Sequence, residues 1–233
     1  MKEHELYNYK LVLQYEGIRY NGWQKQKNQE NTIQEVVENA VFDGTGERAE
    51  VIGSGRTDAG THAMGQVANV KLGQDLEPER LMDNINKHLP SDIKILECEK
   101  VDNRFHARLN AKAKTYMYTL CVGKKPDVFN RRTVLHYCAD LDVDAMKKAA
   151  EYLKGEHDFM SFCSNKRTKK STVRKIYDIE IIKDGDEISF IFKGNGFLYN
   201  MVRILTGTLV EVGLGKTNPE DMPKILEAKD RSK

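Results

Sequence analysis

The sequence predicts an α+β fold, and three observations carry that prediction. Segments of strand and helix character alternate without the strict regularity of a βαβ repeat. Thr32-Ile-Gln-Glu35 is a capping box, in which a Thr side chain and a Glu three residues later satisfy the open backbone donors of a helix start. Val173–Ile182 and Glu187–Lys193 read as two strands joined by Asp184-Gly185-Asp186, the composition of a tight hairpin turn.

Taken in order, Lys10–Tyr15 is a short strand-type run ending at Glu16-Gly17. The helix opened by the capping box carries Ile33, Val36, Val37 and Ala40 on one face. Val51-Ile52 leads into a glycine-rich stretch, Gly53 to Gly60, and Gln66–Leu72 follows as a strand. Pro78, fit for a first helical position, starts a helix that reaches about His88. Ile93–Leu96 and Ala113–Val122 are further strands. Asp144–Lys154 is a helix with Ala145, Met146, Ala149 and Leu153 on its apolar face. Phe197–Val212 has helical spacing in Phe197, Met201, Ile204 and Leu205, and Asn218-Pro219-Glu220 starts a last helix with Pro223 in its first turn. The pattern reads as a loose duplication with its boundary near residue 110: residues 1–110 form a half carrying the glycine-rich loop, and residues 111–233 form the second.

With 39% hydrophobic and 31% charged residues, the composition is that of a soluble globular protein and excludes a disordered chain. A net charge of +2 says little about partners, so the local placement of basic residues matters more. Cys98, Cys121, Cys138 and Cys163 form no C-x-x-C pair, which argues against a zinc site or a secreted disulfide scaffold and predicts four buried, reduced thiols. No metal cluster assembles from His88 or His136 either. Met1–Lys10 lacks the apolar core of a signal peptide, and Phe197–Leu214 is interrupted by Asn200, Arg203 and Glu211, so no membrane span is expected.

The chemistry concentrates in Gly53-Ser-Gly-Arg-Thr-Asp-Ala-Gly-Thr-His-Ala63. A dinucleotide fingerprint fails because Asp58 stands where the third glycine belongs, and its charge would repel a pyrophosphate. A phosphate-binding Walker loop fails for want of a following Gly-Lys-Ser/Thr. A Ser-His-Asp hydrolase lacks its nucleophile elbow, and an aspartic protease lacks the second Asp loop. Read alone, the loop leaves two roles level for Asp58: a catalytic carboxylate, or a turn cap paired with Arg56 or Thr61.

Gly55-Arg-Thr-Asp-Ala-Gly-Thr-His-Ala63 resembles the signature of the tRNA pseudouridine synthase A family. So do Tyr20-Asn-Gly-Trp-Gln24, Thr32-Ile-Gln-Glu35, Phe105-His-Ala-Arg108, Lys114-Thr-Tyr-Met-Tyr118, Gly155-Glu-His-Asp-Phe159 with Ser161-Phe162, and Phe197-Leu-Tyr-Asn-Met-Val-Arg203, in the family's order from about Tyr9 to Gly215. The resemblance implies the pseudouridine synthase fold, a mixed and mostly antiparallel sheet flanked by helices, with two similar halves around a central cleft. It also implies the reaction: uridine's N1–C1′ bond is broken and the base is rejoined through C5. As an isomerisation this requires no cofactor.

By the same resemblance Asp58 is the catalytic carboxylate, as nucleophile or base, and Arg203 is the cation that offsets its burial and pairs with it. Arg56 helps displace the target base and holds its place, since extrusion costs a few kcal/mol of lost stacking and pairing. Tyr116 stacks on the uracil and is a base candidate for the C5 proton, while Tyr118 shares its strand face. His62 and His157 are assigned structural hydrogen bonds.

Two basic runs fit an RNA surface: Arg104, Arg108, Lys112 and Lys114 in the first, and Lys166, Arg167, Lys169 and Lys170 in the second, which continues to Lys175 without an acidic residue and reads as a mobile loop. The resemblance further implies a tRNA anticodon-arm substrate modified at positions 38 to 40, a cytoplasmic homodimer and no membrane. Family members carry a Thr-Ala-Pro loop and a final strand beyond the last helix, and no match to these stands among the 233 residues: either the tail lies outside them or the protein lacks it, and in the second case a sheet edge and part of the uracil pocket are in doubt. Two other readings are a tRNA-binding or tRNA-folding factor without turnover, and a small-molecule enzyme using the glycine loop for phosphate.

Overall fold

The computed structural model describes residues 5–26, 30–125, 127–165 and 171–230. The chain divides into two compact units, Met1–Ala111 and Lys112–Lys233, each with its own apolar core. The fold is α+β, with nine strands and five α-helices among the described residues.

The first unit contains β1 (Tyr7–Tyr15), α1 (Ile33–Thr45), β2 (Val51–Gly53), β3 (Ala63–Leu72), α2 (Pro78–Asn86) and β4 (Ile93–Val101). Its sheet runs β2-β3-β1-β4 with every pair antiparallel. Strand alternation explains β1: Tyr9, Leu11, Leu13 and Tyr15 are buried on one face. In the ladder, Tyr9 stands opposite Val70 and Lys100, and Leu11 opposite Ala68 and Cys98. Against that face α1 lays Ile33, Val37, Ala40 and Val41, and α2 lays Leu81 and Ile85. Burying each large aliphatic side chain contributes about 1.5–3 kcal/mol, so the two helices are held mainly by this face. Thr32 caps α1 as the capping box predicts, its Oγ1 accepting from Glu35 N at 3.4 Å.

The second unit contains β5 (Lys114–Cys121), β6 (Leu135–His136), α3 (Val143–Glu151), β7 (Gly155–Asp158), β8 (Val173–Asp184), β9 (Glu187–Gly194), α4 (Met201–Gly213) and α5 (Met222–Ala228). Its sheet order is β6-β5-β9-β8-β7, antiparallel apart from the β5–β6 pair. The hairpin of β8 and β9 forms as the sequence predicts and closes at Asp184 opposite Glu187, so that the turn itself is only Gly185-Asp186 and Asp184 belongs to the strand. Ile179, Ile181, Ile188, Phe190 and Phe192 meet Met146, Ala149, Leu205 and Leu209 in the core.

Three expectations need correction, and two strands go unanticipated. The helix predicted from Phe197 begins at Met201, because Asn200 caps it in the left-handed conformation at φ 58°, which breaks helical continuity. The strand predicted over Ile93–Leu96 runs on to Val101, its later residues paired across the ladder with β1 despite being mostly polar. The strands Leu135–His136 and Gly155–Asp158 are not anticipated by the sequence pattern; the first is two residues long, and the second has no apolar alternation. The thiols are free, but Cys138 is exposed and Cys98 only half-buried, so burial holds for Cys121 and Cys163 alone. Among the described residues, no helix is long and apolar enough to cross a membrane.

Candidate active site

The Ser54–His62 loop leaves the sheet at Gly53 of β2 and returns at Ala63 of β3, and the segment after β1 holds it from below. Trp23 N donates to Thr57 O at 3.0 Å, Gly60 N donates to Tyr20 O at 3.2 Å, and Gly17 N donates to His62 Nδ1 at 3.2 Å. The hydroxyls of Tyr15 and Thr57 are hydrogen-bonded at 2.9 Å. On the sheet side, Gln66 Nε2 donates to Gly55 O at 2.7 Å and Ser54 N donates to Val67 O at 2.7 Å. Thr61 N closes the turn on Asp58 O at 3.1 Å. Asp58 therefore sits on backbone fixed at both flanks, half-buried, with Arg56 exposed two residues earlier.

Two glycines make this close seating possible. A Cβ on Gly17 would lie 1.9 Å from Thr61 O. Gly22 has φ +80°, and a Cβ there would lie 2.5 Å from Thr57 O. His62, accepting from Gly17, has the structural role expected of it. His157 likewise donates from Nε2 to Lys154 O at 2.8 Å and lies edge-on to Phe159.

Tyr20, whose carbonyl anchors Gly60, is itself held by a charged cluster. Its hydroxyl donates to Asp92 Oδ1 at 2.7 Å, and Arg19 Nε donates to Asp92 Oδ2 at 2.9 Å. Burial first, then the bond to Asp92, pushes the Tyr20 hydroxyl up to about 12. Burial alone would raise the Asp92 carboxyl, but the hydrogen bonds from Tyr20 and Arg19 outweigh it and hold that group low. The Tyr20 contribution to stability is thus complete below its ordinary value of 10.0 and is lost as pH rises towards about 12. The Asp92 contribution is present above the carboxylate range and is lost as pH falls through its lowered value. Tyr20→Phe is expected to flatten the alkaline loss of stability, read from urea midpoints at pH 8 to 12. A profile identical to that of the unsubstituted chain would show that this hydroxyl does not titrate with unfolding.

The first basic run lies partly on the loop Asp102–Asn110, where Arg104 and Arg108 are exposed. Sequence reasoning missed what fixes this loop: a pair of asparagines, Asn8 and Asn69, each 1% exposed on neighbouring strands. Asn69 Nδ2 donates to Asn8 Oδ1 at 3.0 Å, and Ala107 N donates to Asn69 Oδ1 at 2.9 Å. Asn8 Nδ2 in turn donates to Asp102 O at 3.0 Å and Phe105 O at 2.9 Å. The available signal was an amide side chain inside the apolar run Val67–Val70, where Asn is disfavoured unless its hydrogen bonds are met. Asn69→Ala leaves Asn8 Oδ1 and Ala107 N short of partners. We expect a loss of about 2 kcal/mol or more in urea unfolding, with fast hydrogen exchange at Ala107. Unchanged protection there would exclude the pair as the loop's anchor.

In the second unit, Tyr116 lies on β5 opposite Phe192 of β9, and its ring meets Phe197 edge-on with centroids 5.1 Å apart. Tyr118, on the same face, packs against the core. Arg203 stands in the first turn of α4, where Met201 is buried and Arg203 itself is exposed. It lines a cleft of about 400 Å³ with Ser164, Asn200, Ile204, Gly207, Thr208 and Glu211. Asn200 Nδ2 donates to Ser164 Oγ at 3.1 Å at the cleft wall. Lys112 is exposed and Lys114, half-buried, begins β5. Lys166, Arg167, Lys169 and Lys170 lie outside the described residues.

Asp58 and Arg56 thus share one pinned loop of the first unit, and Tyr116 and Arg203 belong to the second. A pinned carboxylate beside an exposed guanidinium can hold an anionic or nucleophilic oxygen in place while a cation engages a polar or anionic substrate.

A family model described as tRNA pseudouridine synthase matches residues 11–110 and 149–233. The chain is 44% identical over 227 residues to a Bacillus cereus protein named tRNA pseudouridine synthase A 2, covering 97% of this chain and 93% of that one. It is 48% identical over 225 residues to the tRNA pseudouridine synthase A of a Bacillus species, covering 97% and 92%. To the protein of that name from Acetivibrio thermocellus it is 42% identical over 226 residues, covering 97% and 92%.

Proposed function

The chain belongs to the tRNA pseudouridine synthase A family, and on that premise we propose that it converts uridine to pseudouridine at positions 38 to 40 of the tRNA anticodon stem-loop. The observation that supports this most is the immobilised Ser54–His62 loop, which presents Asp58 and Arg56 together on fixed backbone. Asp58, as nucleophile or base, promotes cleavage of the N1–C1′ bond; the base turns and is rejoined through C5, the C5 proton leaves, and N1 takes up a proton from solvent, so that the product is an isomer of uridine. Every heavy atom of the uridine is retained, so no cofactor is needed. Arg56 takes the place of the displaced base. Tyr116 stacks on the uracil and receives the C5 proton, and Arg203 compensates the charge of Asp58.

Arg104, Arg108, Lys112, Lys114, Lys166, Arg167, Lys169 and Lys170 contact the tRNA backbone, in keeping with structured RNA being recognised mainly by shape and phosphate. A cytoplasmic homodimer gripping one tRNA completes this reading. Arg104→Glu combined with Arg108→Glu is expected to weaken tRNA binding and to lower the slope of log affinity against log salt by about 1 for each phosphate no longer neutralised. Filter binding across a salt series measures it, and an unchanged slope removes this loop from the interface.

The function itself is tested by tritium release from tRNA labelled at uracil C5, followed by mapping of the modified nucleotides. Release from positions 38 to 40 is the expected result. Bound tRNA with no release would make the protein a binding module instead.

A further inference from the structure

The segments Tyr20–Gln24 and Thr32–Glu35 do more than seat the Asp58 loop. Their two glutamines form a hydrogen-bonded relay that ends on Arg56. Gln24 Oε1 accepts from Arg56 Nε at 3.2 Å. Gln24 Nε2 donates to Gln34 Oε1 at 2.7 Å. Gln34, 4% exposed on α1, donates from Nε2 to Val51 O at 3.2 Å and Glu38 Oε1 at 3.0 Å. Its Oε1 also accepts from Lys25 N at 3.0 Å.

The direction of every bond in this relay is forced. A guanidinium N–H only donates and a carbonyl only accepts, so Gln24 must offer its oxygen to Arg56 and Gln34 its NH₂ to Val51. The two amides can then meet in one way only, Gln24 donating and Gln34 accepting. Gln34 is fixed by burial and by its bonds to Gln24, Lys25, Glu38 and Val51, and it fixes Gln24 in turn.

The contact with Arg56 has two informative properties. It is made at Nε, the inner nitrogen, so it restrains the plane of the guanidinium while using neither of the two outer nitrogens. It is also made by a neutral oxygen, which orients the cation without cancelling its charge. A carboxylate at this position would hold Arg56 as an ion pair against the protein. A neutral, rigidly backed acceptor instead readies a cation for a partner elsewhere, and lowers the ordering needed when that partner arrives.

We propose that Gln24, locked by Gln34, is a positioning residue that presets Arg56 for displacement of the target base. This rests on the role given above to Arg56. The test compares single-turnover rates on two anticodon-arm RNAs. One has its target uridine paired in the stem, and the other has the opposing base changed so that the uridine is unpaired. Gln24→Ala is expected to slow the paired substrate about 10- to 100-fold and the unpaired one less than about 3-fold, matching the pattern of Arg56→Ala. The double variant should be no slower than Arg56→Ala alone, since Gln24 acts only through that side chain. Gln24→Glu, close in shape, covers the case in which the Ala variant does not fold; it should show the same preference for the unpaired substrate, now relieved by salt that screens the new ion pair.

Equal slowing of both substrates by the Gln24 variants, with Arg56→Ala still selective, would overturn the proposal and leave the role of Arg56 standing. Loss of selectivity in Arg56→Ala itself would overturn both.

Discussion

Asp58→Asn is expected to lower pseudouridine formation by at least about three orders of magnitude, in line with the removal of a catalytic group that acts directly on the reacting atoms. Binding of tRNA should change less than about twofold. The substitution is nearly isosteric, and several contacts that seat the loop run through main-chain atoms and survive it: Thr61 N is received by the Asp58 carbonyl, Trp23 N by the Thr57 carbonyl, and Gly60 N donates to Tyr20 O. What is lost is the negative charge and with it the nucleophile or base. Single-turnover tritium release, run beside a filter-binding titration, separates the two effects. Turnover retained in the Asn variant would remove Asp58 from the chemistry.

The second large effect is expected at Trp23, the one tryptophan of the chain. Its side chain is 2% exposed and lies 6.2 Å from the Tyr15 ring, centroid to centroid. Its backbone joins two parts of the site: the N–H donates to Thr57 O at 3.0 Å, and its carbonyl receives Gln34 N at 3.0 Å. Trp23→Ala should cost about 3–5 kcal/mol of stability, the range for removing a large buried aromatic with incomplete collapse of the cavity. It should also loosen the Asp58 loop, so that turnover falls at temperatures where the protein is still folded. Urea unfolding followed by far-ultraviolet dichroism, with activity measured in the folded baseline, gives both numbers. A stability loss below about 1 kcal/mol would mean that the indole fills no well-packed site.

How much of this was legible in the sequence depended on the range of the interaction. The first strand, the capping box at Thr32 and the β8–β9 hairpin are local: alternation, one cap and one turn decide them within a few residues. The two-residue strand Leu135–His136 exists only because β5 offers it a partner, and nothing within its own sequence requires it. Asn200 was hidden for a different reason. The apolar spacing from Phe197 continues through it, and only its left-handed backbone sets the start of α4 at Met201. At the site, the proposal of Arg56 and Asp58 comes from family resemblance, whereas the loop alone leaves a turn cap and a catalytic carboxylate equally tenable. The Asn8–Asn69 pair spans 61 positions and the Arg56–Gln24 contact spans 32, so neither leaves a local pattern.

The central place of β1 sets a timetable for the chain as it is made. Its residues Tyr7–Tyr15 precede their ladder partners, Ala63–Leu72 and Ile93–Val101, by a long stretch of chain. At typical elongation rates the last of these arrives on the order of 5–20 s after the first strand. Until Ala63–Leu72 has been made this apolar strand has both edges open, and one edge stays open until Ile93–Val101 follows, which leaves the nascent first unit prone to association through that strand until its ladder closes.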